Sequence, residues 1–169
     1  VVSGSSHTAT APNAPSKPSA IGGASYCKGA SLNNLGVTTT TTGTAGTFKW
    51  YKDAALIVSY GTGASVAPTD TIMTQVYYVI EDRSGCKSAA DTTTVTVNAL
   101  PVVSNTALAA RCTNADSLVL ATGTPTGGTY SGTGVSSGVF IASVATAGSH
   151  VITYNYTDGN NCSNSDTAS

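Results

Sequence analysis

Residues 76–97 read VYYVIEDRSGCKSAADTTTVTV and contain two runs of alternating character around a polar middle. The first run is apolar at every second position: Val76, Tyr78 and Ile80. In the second run, Val95 and Val97 alternate with threonines. Because successive side chains of a strand point to opposite faces, each run predicts a strand with one apolar face, and the polar residues 82–85 predict a turn.

The same pattern returns about 76 residues later, so the chain contains an internal repeat. The residues ten, eight and six positions before Cys86 are apolar, and the residue four positions before it is Asp. The same holds for the residues before Cys162. In the second half these positions hold Ile152, Tyr154, Tyr156 and Asp158. An Asp-Thr pair follows each cysteine. The second half stops at Ser169, before an equivalent of Val95 and Val97, which predicts that its last strand is cut off or supplied by another segment.

Composition narrows the class of protein. The 169 residues include 28 Thr and 21 Ser, only 9% are charged, and the net charge is −1. The absence of a basic excess argues against a nucleic-acid partner. The sequence contains no run of 18 apolar residues, so we expect no membrane insertion. No long stretch has helical spacing. Short strands with frequent turns favour an all-β protein of two immunoglobulin-like β-sandwiches in tandem.

The expected boundaries are a linker or the end of a preceding module at 1–18, one sandwich at 19–98 and another at 99–169. Trp50 lies between Cys27 and Cys86, as in the immunoglobulin pattern in outline. The four cysteines, Cys27, Cys86, Cys112 and Cys162, allow three pairings. We favour Cys27–Cys86 and Cys112–Cys162, one bridge per repeat, each contributing about 4 kcal/mol. Four buried thiols remain the alternative. Disulfides imply an oxidising location, outside the cell or in a periplasm, and we expect an extracellular, cell-surface protein.

Two segments carry a resemblance to a known family. Residues 76–97 resemble the Ig-like repeats of surface and secreted proteins in Bacteroidota, and so does the run GTPTGGTYSGTGV at 123–135 with its continuation to Cys162. Proteins of this kind include gliding adhesins and enzymes exported by the type IX secretion route. The resemblance implies a spacer or adhesive role on the cell surface, without catalysis, cofactor or fixed binding residues.

Catalytic and metal motifs are weak. The string Gly134–Gly138 fits G-x-S-x-G, but glycine-rich turns surround it, and His7 and His150 are the sole histidines. Glu81 and Asp82 are neighbours on a strand and point to opposite faces, so we expect turn-edge solvation rather than acid–base chemistry.

Asp158 and Asn160 are weak candidate calcium ligands, because Asx-rich turns are common without metal. His150 is expected to lie half-buried at a strand rim. The tyrosines Tyr51, Tyr60 and Tyr77 could form a sugar-stacking surface, although strand tyrosines usually cover a sheet.

Asp followed by Ser or Thr and then a small or aliphatic residue occurs four times, where composition predicts about one. This string resembles the O-glycosylation acceptor of exported Bacteroidota proteins. The candidate acceptors are Thr71, Thr92, Ser117 and Thr167. The alternative is that these aspartates simply begin strands.

The sequence therefore predicts a structural and adhesive module of a large extracellular fibre, with neighbouring repeats, surface glycans or other fibre subunits as partners. The alternatives are a carbohydrate-binding accessory module of a secreted hydrolase and a fibre subunit assembled by strand exchange.

Overall fold

The computed structural model describes residues 14–38 and 46–169. The chain forms two compact units. The first contains the described residues up to Tyr26 together with Ala30–Val97, and the second contains Cys27–Gly29 and Asn98–Ser169. Residues 1–13 of the expected linker, and with them His7, lie outside the described residues. The rest of that segment belongs to the first unit, where Pro15 and Pro18 are buried.

The described residues before position 99 form nine strands. They are β1 (Ser19–Ile21), β2 (Ser25–Cys27), β3 (Leu35–Thr38), β4 (Thr47–Tyr51), β5 (Ser59–Thr62), β6 (Ser65–Val66), β7 (Met73–Arg83), β8 (Cys86–Lys87) and β9 (Asp91–Asn98), of which β7 is the longest. One sheet has the order β1-β3-β6, and the other has the order β2-β9-β7-β4-β5, with β8 added to β7.

The strand β2 runs parallel to β9, because Thr96 N–H bonds to Ala24 O and Lys28 N–H bonds to Asn98 O, so both registers advance together. The first strand of the fold is thus shared between the sheets, β1 in one and β2 in the other.

The core of the first unit lies between these sheets. Its buried members come from four strands of both sheets: Leu35, Phe48, Trp50, Tyr77, Val79, Val95 and Val97. Phe48 and Trp50 share a face, as the alternation of β4 predicts, and Trp50 Nε1 donates to Gly63 O at 3.0 Å. Each of these large apolar side chains contributes roughly 1.5–3 kcal/mol through burial.

The predicted apolar face of β7 is wrong by one residue. Tyr77 and Val79 point into the core, whereas Val76 and Tyr78 are only half-buried. Ile80, the third residue of the predicted face, is fully buried. The error arises because the two halves were aligned at Cys86 and Cys162, which are 76 positions apart. Asp91 pairs with Val79 and Asp166 pairs with Tyr154, which places the two halves 75 positions apart rather than 76. Because the strand period is two, this single residue reverses the faces.

The second unit is built from shorter elements. They are β10 (Ser104–Asn105), β11 (Leu118–Val119), β12 (Gly123–Thr124), β13 (Thr129–Gly132), β14 (Val135–Ser136), β15 (Val139–Phe140), α1 (Ala142–Ala145), β16 (Ile152–Thr157) and β17 (Ser163–Ala168). Their sheets are β10-β12, β11-β15-β14 and β13-β16-β17. The four-residue α1 is the one helix among the described residues, so the prediction of a nearly all-β chain is confirmed.

Tyr154 on β16 is the largest buried side chain of the second unit, with 1% exposure. Its ring lies directly over Gly123 and Gly128, where a Cβ atom would come within 2.4 to 2.6 Å of the Tyr154 side chain. Its hydroxyl accepts the Gly128 amide at 2.7 Å and donates to Pro125 O. The two glycines are therefore required by the approach of this ring rather than by chain flexibility.

The predicted cysteine pairing is wrong. Cys27 is bonded to Cys162, 135 residues later, while Cys86 and Cys112 form no disulfide. Strand length explains why Cys27 and Cys86 do not meet. Cys27 ends β2 beside the Val97 end of β9, which pairs with Met73, whereas Cys86 pairs with Arg83 ten residues further along β7. At about 3.3 Å per residue this is about 33 Å, far beyond the Cα separation that a disulfide allows.

The same argument separates Cys112 from Cys162 in the second unit. Cys162 is buried in the turn that follows β16. Cys112 is exposed and lines the same groove as Ile152, the first residue of β16.

Candidate functional site

Two of the aspartates in the Asp-Ser/Thr strings anchor the first strand of their unit. Asp91 Oδ2 accepts the Ala20 amide at 2.8 Å, and Asp166 Oδ2 accepts the Asn105 amide at 2.9 Å. Lys17 lies 2.7 Å from Asp91 Oδ1, and its hydrogen bond, with that of the Ala20 amide, lowers the pKa of Asp91. Sequence reasoning missed this role, although both aspartates stand at matching places in the repeat.

The four candidate acceptors of the same strings are all exposed: Thr71, Thr92, Ser117 and Thr167. Thr92 and Thr167 follow the anchoring aspartates on β9 and β17, and alternation turns their side chains away from the core.

Glu81 is not solvated at a turn edge, so that expectation is wrong. It is 1% exposed, and its Oε1 accepts the Gly46 amide at 2.6 Å and Arg83 Nε at 2.8 Å. Asp82 points to the other face, where Lys49 Nζ binds its Oδ2 at 2.7 Å and lowers its pKa. The two carboxylates therefore serve separate ion pairs and do not face a common substrate.

The turn at Asp158 uses its carboxylate internally. Asp158 Oδ1 accepts the Asn160 amide at 2.8 Å and the Cys162 amide at 2.9 Å. Asp82 holds the Gly85 amide in the same way at the other hairpin, so this is a structural turn in both units. In the described part of the chain, no three His, Cys, Asp or Glu residues gather as metal ligands.

The proposed sugar-stacking tyrosines do not form a surface. Tyr77 is fully buried and Tyr51 is 9% exposed. Tyr60 is half-buried, its ring centroid lies 4.9 Å from that of Tyr77, and Lys52 Nζ stands 4.4 Å above it. Burial, with the neighbouring Tyr77 hydroxyl, raises the pKa of Tyr60 to about 12. These rings are packing elements of the sandwich.

The G-x-S-x-G string forms a hairpin, as its glycines predict. Ser136 ends β14, Ser137 and Gly138 turn with positive φ, and Val139 begins the antiparallel β15. His150 is half-buried just before β16, and its Nε2 lies 3.1 Å from Thr146 O.

The second unit contains a groove of about 680 Å³. Its lining is mostly apolar and includes residues of the segments 105–113 and 146–150 together with Leu118, Phe140, Ile152 and Ala168. Arg111 is the single charged residue on its walls. Sequence reasoning did not find this groove.

A comparison with known protein families finds a match over the first unit. The model for the Ig-like domain described as CHU_C associated matches residues 15–101, half of the chain. The chain belongs to this family. Ig-like domains are generally non-catalytic, and the match covers β1 to β9 completely. No curated protein matches the chain.

One further property concerns membranes. Among the residues that the structure describes, no helix has the length and apolar character needed to cross a bilayer.

Proposed function

We propose that this chain is a non-catalytic structural and adhesive module of a large extracellular surface protein or fibre, in which it acts as a spacer or stalk. The single observation that carries the proposal is the match of residues 15–101 to a family of Ig-like domains, whose predicted sandwich has a buried core between its two sheets. The resemblance to Bacteroidota surface repeats supports the extracellular setting and the adhesin class.

Physical features of the chain support a load-carrying role. The Cys27–Cys162 disulfide closes a loop of 135 residues, so a pulling force on the oxidised chain cannot extend that loop. Oxidation of this kind also fits a compartment outside the cytosol. The low charge, 9% of residues, allows close packing of neighbouring modules, which we propose as partners.

A tandem arrangement of two Ig-like modules is part of the proposal. Its support is the shared anchor in which an aspartate at the final strand accepts an amide of the first strand, Ala20 in one unit and Asn105 in the other. The alternative function, a carbohydrate-binding accessory module, receives no such support, because Tyr51 and Tyr77 are buried.

A replacement experiment in the parent protein tests the spacer role. Residues 15–169 are exchanged for an unrelated pair of Ig-like domains of the same length, with a deletion of the same residues as the control. A spacer predicts that the exchange keeps surface display and cell adhesion, while the deletion reduces adhesion. Loss of adhesion, or of action on an insoluble polysaccharide, after the exchange would instead assign a binding surface to this chain and overturn the spacer proposal.

We further propose that Thr71, Thr92, Ser117 and Thr167 carry O-linked glycans, which would supply hydration that the few charges do not. Their exposure meets the first requirement for modification. Mass spectrometry of the segment from its native host should show a mass above the unmodified 16.7 kDa, and each substitution of an acceptor Thr or Ser by Ala should remove the mass of one glycan. An unmodified mass would reject the idea. Asp91→Asn is a poor probe, because Asp91 also anchors β1.

A further inference from the structure

The Cys27–Cys162 disulfide closes a loop that contains most of the described strands. Both cysteines belong to the second unit, while the chain between them includes Ala30–Val97 of the first. Of the described strands, only β1, β2 and β17 lie outside the loop, since β2 ends at Cys27 and β17 begins at Ser163. The bond holds the Cα atoms at the two ends of the loop 5.5 Å apart.

The buried cores of both units lie inside this loop. In the first unit, all seven members of the cluster between the sheets lie inside, from Leu35 to Val97. In the second unit, the buried residues from Leu120 to Tyr154 also lie inside. Because a covalent bond joins the ends of the loop, tension along the chain cannot draw out the residues that form the cores.

The strands outside the loop are already extended and are held to the cores by noncovalent contacts. β1 pairs with β3, its Ala20 amide donates to Asp91 Oδ2, and Lys17 lies 2.7 Å from Asp91 Oδ1. β17 pairs with β16, and its Asp166 accepts the Asn105 amide. Both β1 and β17 are edge strands of their sheets. Tension therefore meets these contacts first, and losing them detaches an edge strand but leaves the loop closed.

Chain length gives the size of the effect. The chain outside the loop, 1–27 and 162–169, spans at most about 120 Å when it is fully extended. The 135-residue separation within the loop would add about 450–490 Å. The oxidised and reduced chains therefore differ about fivefold in the length to which tension can draw them.

We propose that the Cys27–Cys162 bond is a mechanical bypass whose redox state sets whether the two cores carry load. In the oxidised chain, tension passes from the residues before Cys27 across the bond to the residues after Cys162, and both cores stay folded. In the reduced chain, the same tension passes through residues 28–161 and unfolds them. The use of this device in the cell rests on the proposed spacer role, whereas the bypass itself is a property of this chain.

The change between the two states is thiol–disulfide exchange with a dithiol reductant. One thiolate of the reductant attacks a sulfur of the bond, forms a mixed disulfide and releases the other cysteine as a thiolate. The second thiol of the reductant then displaces the first cysteine. The reductant supplies two electrons and two protons and leaves as a cyclic disulfide, and both cysteines become thiols. Cys27 is half-buried and Cys162 is fully buried, so we expect the attack at Cys27.

Single-molecule force spectroscopy of the full chain tests the bypass. Handles are ligated to Val1 and Ser169, so that no cysteine is used for attachment. During a force ramp the oxidised chain should lengthen to no more than about 120 Å. The chain reduced beforehand with dithiothreitol should lengthen by a further 450–490 Å or so, in steps that report the unfolding of its cores.

Reduction under constant load reports whether the cores stay folded while the bond is intact. The load is chosen so that the chain reduced beforehand unfolds slowly enough to be timed. Folded cores predict that dithiothreitol is followed by discrete unfolding steps separated by waiting times, whereas an already unfolded loop would release its whole length in one jump. This measurement starts from the folded oxidised protein, so it does not depend on how well a cysteine variant folds.

Two double variants form a matched pair. Cys86→Ala combined with Cys112→Ala keeps the bond and removes the other two cysteines as exchange partners, so it should behave as the unchanged chain in both redox states. Cys27→Ala combined with Cys162→Ala should show the long extension with or without the reductant.

Three outcomes overturn the proposal. An oxidised chain that lengthens beyond its two outer segments shows that tension does not pass through this bond. A single jump on reduction under load shows that the cores had already come apart. An equally short extension of the reduced chain shows that the cores bear the load without the bond. None of these results bears on the spacer proposal, which fails instead when the domain exchange abolishes adhesion.

Discussion

Reduction of the Cys27–Cys162 disulfide should lower the free energy of global unfolding by about 5 kcal/mol. The value follows from the 135-residue separation of the two cysteines, because a crosslink removes conformational entropy from the unfolded chain in proportion to the logarithm of loop length. At a typical urea dependence this moves the unfolding midpoint by about 2 M. The same change is expected for Cys27→Ala combined with Cys162→Ala.

A tryptic map under non-reducing conditions separates a Cys27–Cys86 bond from a bond of Cys27 to the second half, and the same map of the variant with Cys86→Ala and Cys112→Ala assigns the second partner to Cys162. Since trypsin does not cut before Pro18, Cys27 lies in the fragment 1–28, Cys86 in 84–87, and Cys112 and Cys162 together in 112–169. The structure predicts that 1–28 and 112–169 travel as one crosslinked species and that 84–87 is released alone.

The control is the variant with Cys86→Ala and Cys112→Ala, which keeps the bond and should retain the urea midpoint within about 0.5 M. A crosslink between 1–28 and 84–87 would refute the strand-length argument that separates Cys27 from Cys86. Equal stability of the oxidised and reduced chains would refute the entropy argument even if the map agrees.

Two further predictions concern single side chains. Gly123→Ala should destabilise the second unit by about 1–3 kcal/mol, because its Cβ would overlap the buried ring of Tyr154, and hydrogen exchange on β16 should accelerate. Gly159→Ala, with open space around the new Cβ, should leave exchange unchanged, and equal effects of the two would contradict the packing argument. Asp91→Asn should flatten the pH dependence of stability on the acid side. The folded-state pKa of Asp91 is lowered chiefly by Lys17, so its stabilisation is present above about pH 4 and is lost as the pH falls through the folded pKa. Urea unfolding between pH 7 and pH 3 measures this, and parallel profiles of the two proteins would exclude the contribution.

The fold class follows from local pattern. Alternation at β7 and β9, the turn residues between them and the lack of helical spacing predict a nearly all-β chain. Trp50 lies in the core, as its position between Cys27 and Cys86 suggests. Local chemistry also predicts the hairpin at Ser136–Val139, since glycine there permits positive φ.

The candidate sites were less predictable, because their meaning depends on partners distant in sequence. Asp91 and Asp166 fit a modification string, and the structure adds an anchoring role toward amides 71 and 61 residues earlier. Tyr77 fits a binding surface by residue type, but Tyr60 and the opposite sheet cover it.

The order of residues along each strand was enough to establish that this chain builds sheets and where its turns fall, since both depend on neighbours within a few positions. Three features depended on tertiary structure: which cysteines are bonded, which face of β7 is buried, and that Ile152 lines a groove. Each is set by register and strand length, and a shift of one residue or the span of one strand changes them while leaving the local pattern intact.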